Sequence, residues 1–425
     1  MKKTLLFLAL ILIITVGYLS MPTTLPTYAP TRDYLDMEAT LVEQFILAKD
    51  SSTIVLPEGH FLFSQSLSLD NKTNLTIKGQ GMDKTVLSFK GQVSGAEGIK
   101  ITNSKNIVLE DFTIEDAAGD NLKISETATV TMRRLRSAWT GQVSEENGAY
   151  ALYPVLSTNV LIEECEVIGS SDAGIYVGQS DGVIIRNNKA FFNVAGIESE
   201  NSVNVEIYGN EAYENTSGLL IFNLPGLTMH GGNVVAYENK IYDNNLPNFA
   251  VKGSIVSAVP QGTGMIVMAT KDVNIHNNQI SNHTTTNLSV VSYELFALER
   301  NGDALETALS EEAQAQGLRA IDTEYTKDKT YNPYPGRISI RDNSFANNAI
   351  LPTFSNDFGK LWIVKNSAII PDIAYDGMID PSGELQDDQH KLCIQKNGEI
   401  HFVYLDAANE FEGFTNDLTL FDCTL

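Results

Sequence analysis

Glycine recurs every 22 residues in the middle of this chain, at Gly174, Gly196 and Gly218, and each copy opens a short run of alternating apolar residues. The runs are Asp172-Ala-Gly-Ile-Tyr-Val-Gly, Val194-Ala-Gly-Ile-Glu-Ser-Glu and Thr216-Ser-Gly-Leu-Leu-Ile-Phe. Between them lie Val183 to Arg186 and Val205 to Tyr208, and later Val273 to His276 and Ile338 to Arg341, each followed by asparagine. A period near 22 with several short strands per repeat describes a solenoid in which one repeat makes one coil. Stacked coils hydrogen-bond each strand to its copies above and below and put alternate residues inside. The fold class is therefore all-β, a right-handed parallel β-helix solenoid of about ten coils. Asn187, Asn188, Asn210, Asn239, Asn277, Asn278 and Asn343 suit left-handed bends and inter-coil ladders, a structural role.

The organisation follows from where the repeat starts and stops. Residues 1–21 carry Lys2 and Lys3 ahead of an apolar run, which reads as a cleaved signal peptide or an uncleaved anchor. Both place the globular part outside the cytoplasm, in the periplasm or at the cell surface, touching membrane only through that segment; a buried core helix is the third reading. Residues 22–34, with Pro22, Pro26 and Pro30, read as an extended linker. Residues 35–367 form the β-helix, with insertions near 224–234, 245–263 and 294–336. Leu35, Leu41, Val42, Phe45 and Ile46 give a helix over 35–48 an apolar face fit to cap the first coil. Residues 294–316 have helical composition. The repeat fades in 368–425, which reads as a small C-terminal cap or module.

Several function classes fall away early. The net charge is −24, which opposes sequence-independent binding of nucleic acid. The six histidines show no metal-ligand spacing, and no phosphate loop, dinucleotide fingerprint or Ser/His/Asp signature is present. No cofactor is expected; Asp172 with Asp181 could offer oxygens to calcium, against the plainer reading of turn-forming aspartates.

Ser52-Thr-Ile-Val-Leu-Pro-Glu-Gly-His-Phe ahead of a β-helix resembles the pectin-lyase-like superfamily. Gly148-Ala-Tyr-Ala-Leu-Tyr-Pro-Val, Asn248-Phe-Ala-Val-Lys-Gly and Val259-Pro-Gln-Gly-Thr-Gly-Met resemble a narrower group, the exported parallel β-helix repeat-containing proteins of bacteria. The resemblance covers roughly residues 32 to 425. It implies export and action beside a second exported protein, and it carries over no catalytic residue. No lipoprotein-type cysteine is present, which departs from the lipoprotein members.

Strand alternation nevertheless nominates a site. If Ile175 and Val177 point inward, Tyr176 points outward, and one outward column runs Lys100, Lys123, Tyr153, Tyr176, Glu198, Leu220 at about 4.8 Å per coil. Lys123, Tyr153, Tyr176 and Glu198 are the candidate catalytic residues: lysine can neutralise a uronate, and tyrosine or lysine can move a proton at the sugar ring. Lys100, Glu200, Arg133 and Lys252 are the candidate binding residues. The expected substrate is an exposed stretch of acidic polysaccharide, and the expected chemistry a lyase or C5-epimerase reaction. The plain alternative is a solvated face with a tyrosine ladder. Glu198 and Glu200, about 7 Å apart along one strand face, also permit glycoside hydrolysis. Arg133, Arg134 and Arg136 could bind an anionic polymer or offset nearby acids. The second function class is a non-catalytic binding or assembly protein that docks another exported protein on the insertions at 224–234 and 245–263.

The three cysteines are Cys165, Cys393 and Cys423. Cys165 reads as a buried small residue rather than a reactive thiol. An exported compartment permits a Cys393–Cys423 disulfide, with two free thiols as the alternative. Thiol titration of the denatured, unreduced protein should find one free thiol; three would rule the bridge out.

Overall fold

The computed structural model describes residues 24–297, 318–347 and 351–423. The expected signal or anchor at 1–21, and most of the helical stretch at 294–316, lie outside them. No helix among the described residues is long and apolar enough to cross a membrane.

Every coil contributes a strand to each of up to three parallel faces. The first face stacks eleven strands, from Gln65–Asp70 through Leu122–Ser125, Tyr150–Val155, Ala173–Gly178, Ala195–Glu200, Ser217–Phe222 and Thr263–Met268 to Phe402–Tyr404. The second includes Thr158–Glu163, Asp181–Arg186 and Val203–Tyr208, and the third Glu166–Ile168, Lys189–Phe191 and Glu211–Tyr213. In two early coils one strand serves both: Lys105–Glu115 and Ala128–Ala138 turn from the second face onto the third. The inward row of the first face, Leu152, Ile175, Ile197, Leu219 and Met265, is in register and almost wholly buried. Each such side chain taken from water contributes about 1.5–3 kcal/mol, and it does so only because its neighbours above and below share the row.

The recurring glycine has a steric cause. A Cβ on Gly196 would meet the Gly218 carbonyl oxygen at 2.7 Å, and the same collision recurs between Gly218 and Gly264. Coils pack backbone on backbone at this corner, and no side chain fits.

Asparagine pairs divide their work. The first of each pair, Asn187 and Asn277, takes the left-handed conformation at φ 56° and 57°. The second turns inward and forms a continuous ladder, Asn188–Asn210–Asn239–Asn278–Asn343–Asn397, with amide-to-carbonyl steps of 2.9–3.1 Å. At its foot the Cys165 backbone N–H donates to Asn188, so Cys165 occupies a ladder position. Its thiol is buried and pushed up to about 12 by burial, which suits a packing residue. A second ladder, Asn193–Asn215–Asn244, lines the next corner and ends on His283. Hydroxyls serve the third, through Thr127, Ser157, Ser180 and Ser202.

Three expectations change. The solenoid does not stop near 367: Ile373–Tyr375 and Phe402–Tyr404 extend the first face, and Leu392–Gln395 extends the second. Cys393 thus sits in a coil strand, and its disulfide to Cys423 ties the end of the chain to that coil. Residues 24–34, within the stretch expected as a linker, are no free segment. Thr27–Tyr28 pairs with Gly141–Gln142, and the Arg32 guanidinium forms an ion pair with buried Glu115. The capping helix is Glu38–Ile46; Leu41 and Phe45 are buried and Val42 packs beside them, while Ile46 is exposed and Leu35 belongs to a strand.

Asn239 accepts from the Asn210 backbone and side-chain amides and donates to Asn278 and to the Ile207 carbonyl. Asn239→Ala strands these partners in a dry corner and should cost about 2–4 kcal/mol, read as a lower urea midpoint. Asn187→Gly, at an exposed left-handed position, should change it little.

Candidate functional site

Register places Lys100, Lys123, Tyr153, Tyr176, Glu198 and Leu220 in one outward column of the first face. Outward from the solenoid is not exposed to solvent, however. Tyr153, Tyr176, Glu198 and Leu220 are all buried. The insertions cause this. Leu224 and Leu227 from one insertion, Phe249, Val256 and Val259 from the next, and Phe296 and Leu318 beyond it pack down on the outer surface of the first face as a second apolar cluster. The expected docking surfaces therefore spend much of their apolar side chains on a roof.

Where the roof stops, a cleft of about 710 Å³ opens over the middle coils, within the size range of ligand sites. Tyr150, Tyr153, Asp172, Tyr176, Glu198 and Glu200 form its floor; Gln179, Pro225, Ile255, Val256, Arg319 and Asp322 are among its walls. Tyr150, Tyr153 and Tyr176 make a mutual triad with ring centroids 4.5, 4.5 and 4.8 Å apart. Gly178 makes room for it: a Cβ there would come within 2.4 Å of the Tyr176 hydroxyl.

The carboxylates dominate the chemistry. Glu198 and Glu200 project from Ala195–Glu200, and Asp172 lies just ahead of Ala173–Gly178. All three are buried, and Asp172 Oδ1, Glu198 Oε1 and Glu200 Oε1 have no hydrogen-bond partner among the described residues. Burial drives the Glu198 carboxyl well above its ordinary range, and the charges of Asp172 and Glu200 push the same way. Asp172 is raised for the same reasons, burial first and Glu200 second, although the Tyr150 hydroxyl donates to it at 3.3 Å. Glu200 is pushed up only to about 7: burial raises it, while the Tyr176 hydroxyl and the Arg319 guanidinium favour its ionised form. At neutral pH the cluster therefore holds carboxyls of unequal acidity. The phenols move the wrong way to act as bases, since burial beside these acids raises Tyr150, Tyr153 and Tyr176.

Lys123 lies toward the open side, its ammonium 4.6 Å from the Tyr153 ring centroid and 3.7 Å from Asp120. Burial raises Asp120 to about 7, with Lys123 opposing. Lys100 pairs with Glu97 at 2.9 Å. The other two nominated binding residues lie apart. Arg133, on Ala128–Ala138, faces out from the second face and is paired with Glu163; its neighbours Arg134 and Arg136 are paired with Asp111 and Glu166. Lys252 is exposed and borders a separate hollow beside Leu25 and Glu145. Asp172 and Asp181 stand on different faces, and no group of three or more His, Cys, Asp or Glu residues among those described is arranged to hold a metal.

Tyr150 and Arg319 were not nominated by sequence. Alternation counts Tyr150 as inward, in step with Leu152, but at the strand entrance the chain is still rounding a corner and its ring emerges on the outer surface. Arg319 lies within the insertion at 294–336, where no periodicity locates a side chain.

Residues 64–224 and 140–294 match the family model described as right handed beta helix region. The chain belongs to the right-handed β-helix family. It is 27% identical over 165 residues to the pre-neck appendage protein of Bacillus phage B103, a match covering 32% of this chain and 19% of that protein. The chain thus spans about a fifth of that relative's length. Among solved structures, the A-module of the mannuronan C-5 epimerase AlgE6 of Azotobacter vinelandii superposes with a TM-score of 0.53 at 15% identity, over 87% of this chain and 91% of that one. This β-helix chain therefore shares its solenoid architecture with that module.

The sign of the pH dependence follows from the raised carboxyls. A carboxyl whose pKa rises on folding contributes its full stability below its unfolded value and loses it as pH climbs to the folded value. For Glu200 that window runs from 4.5 to about 7. Buried His283, pushed down to about 4, works in the opposite sense below 6.5, so a variant must isolate the carboxyl. The thermal midpoint of Glu200→Gln should gain on that of the wild type as pH rises from 5 to 8; a constant difference would contradict the assignment.

Proposed function

We propose that this chain is an extracytoplasmic carbohydrate-active enzyme that cleaves a glycosidic bond by carboxyl chemistry in the roofed cleft. The observation that carries the reading is the set of buried carboxyl oxygens, on Asp172, Glu198 and Glu200, without partners among the described residues and beside a tyrosine triad. Buried acceptors without a partner cost stability, and a ligand that donates to them recovers it. Sugar hydroxyls are donors of the right kind, and phenol rings suit sugar faces. The disulfide supports an oxidising compartment.

The acid–base roles follow from unequal acidity. Glu200 is the carboxyl that ionises first, helped by Arg319 and Tyr176, and serves as base or nucleophile. Glu198, held protonated by burial and by its neighbours, is the general acid that protonates the leaving oxygen. Asp172, one coil away, pushes Glu198 in the same upward direction as burial does. Lys123 and Tyr153 extend the binding surface.

This reading ranks hydrolysis above the elimination or epimerisation expected from the Lys/Tyr column. With a phenol as the base those reactions are disfavoured, because all three phenols are shifted away from the working pH. The column lysines each already have a side-chain carboxyl beside them, Glu97 and Asp120, so neither is committed to a uronate.

Incubation with polymannuronate, polygalacturonate and α-1,3- and β-1,3-glucans, followed both by new reducing ends and by the absorbance of unsaturated sugars, tests this. Reducing ends should form without unsaturated product. Glu198→Gln and Glu200→Gln should each lower kcat by about 10²–10⁴-fold, and Tyr153→Phe by far less. Unsaturated products that persist in Glu198→Gln and vanish in Tyr153→Phe would overturn the reading in favour of elimination.

A further inference from the structure

The cleft is blind at one end. Its floor follows the outward columns of the first face, one position per coil at about 4.8 Å. Toward the N-terminal coils the floor is open: the Lys123 side chain is 22% exposed and that of Lys100 41%. Toward the C-terminal coils the same columns continue as Leu220, Phe222, Ile266 and Met268, all buried. Ile255, Val256 and Phe296 sit on them and leave a space of only about 20 Å³, too small for a sugar ring.

The wall is fixed in place. The Ile255 N–H donates to the Arg319 carbonyl at 2.7 Å, which ties the second insertion to the segment that carries the site arginine. The flank beside Gln179 is closed as well: Thr228 donates to the Gln179 side chain from both its backbone N–H and its hydroxyl, and the Gly226 N–H donates to Asp328. Glu198 and Glu200 therefore line the cleft on the coil next to an apolar wall.

We propose that the cleft receives the end of a linear polysaccharide and releases a short fragment of fixed size from it, rather than cutting within the chain. A polymer lying along the floor can run over Tyr153, Lys123 and Lys100, and it cannot pass Phe222 and Ile255. Fragment size is then set by the room between the carboxylates and the wall. This rests on the hydrolytic reading of the same cleft.

The test is product size against time, with wild-type full-length protein and the same four polymers. One short product from the earliest time points, while the mean mass of the remaining polymer falls only slowly, is the expected result. In an Ile255→Ala/Val256→Ala variant that keeps its thermal midpoint, the product should lengthen or become mixed. A broad ladder of sizes from the wild type at early times, with a rapid fall in viscosity, would overturn end-on binding and leave hydrolysis standing. No cleavage of any of the four polymers would overturn both.

Discussion

Strands of three to six residues bury too little to hold themselves together, and here nearly every one depends on the copy directly above and below it. The stacking is possible because each corner of the coil satisfies its own backbone. Asparagine ladders close two corners and serine or threonine hydroxyls the third. Glycine at 174, 196, 218 and 264 lets one bend pack directly on the next. These corners pin the register, and the register gives every outward residue a fixed address.

The character of the cleft is a consequence of that address being covered. A parallel β-helix ordinarily presents its outer faces to water, and in water Glu198 and Glu200 would be unremarkable surface acids. Two insertions and the segment around Phe296 and Leu318 fold an apolar roof over the first face, and the roof stops short above Tyr176 and Glu198. Burial without pairing then does two things at once. It shifts the carboxyls upward to different extents, and it leaves acceptor oxygens without a partner among the described residues. The same roof that creates this chemistry closes the groove beyond it.

Legibility in the sequence divides along the same line. The coil, its faces and the outward column from Lys100 to Leu220 were readable, because a 22-residue period and strict alternation act through local sterics. The roof was not. Insertions carry no repeat, so nothing in 245–263 or around Arg319 announces which way a side chain turns, and Tyr153 and Glu198 were expected in solvent. Tyr150 was lost at a corner, where alternation fails. The last coils were missed because Ile373–Tyr375 and Leu392–Gln395 are too short and too unevenly spaced to show a period, although they pair like the rest.

The roof makes the cleft carboxyls weaker acids than in solution, with Glu200 the first to ionise. Titration of the carboxyl carbon of Glu200 by NMR, in protein labelled at glutamate side chains and assigned by Glu200→Gln, measures this directly. The account predicts a midpoint at about 7, with Glu198 still protonated there. A Glu200 midpoint near 4.5, or ionisation of Glu198 before Glu200, would contradict it.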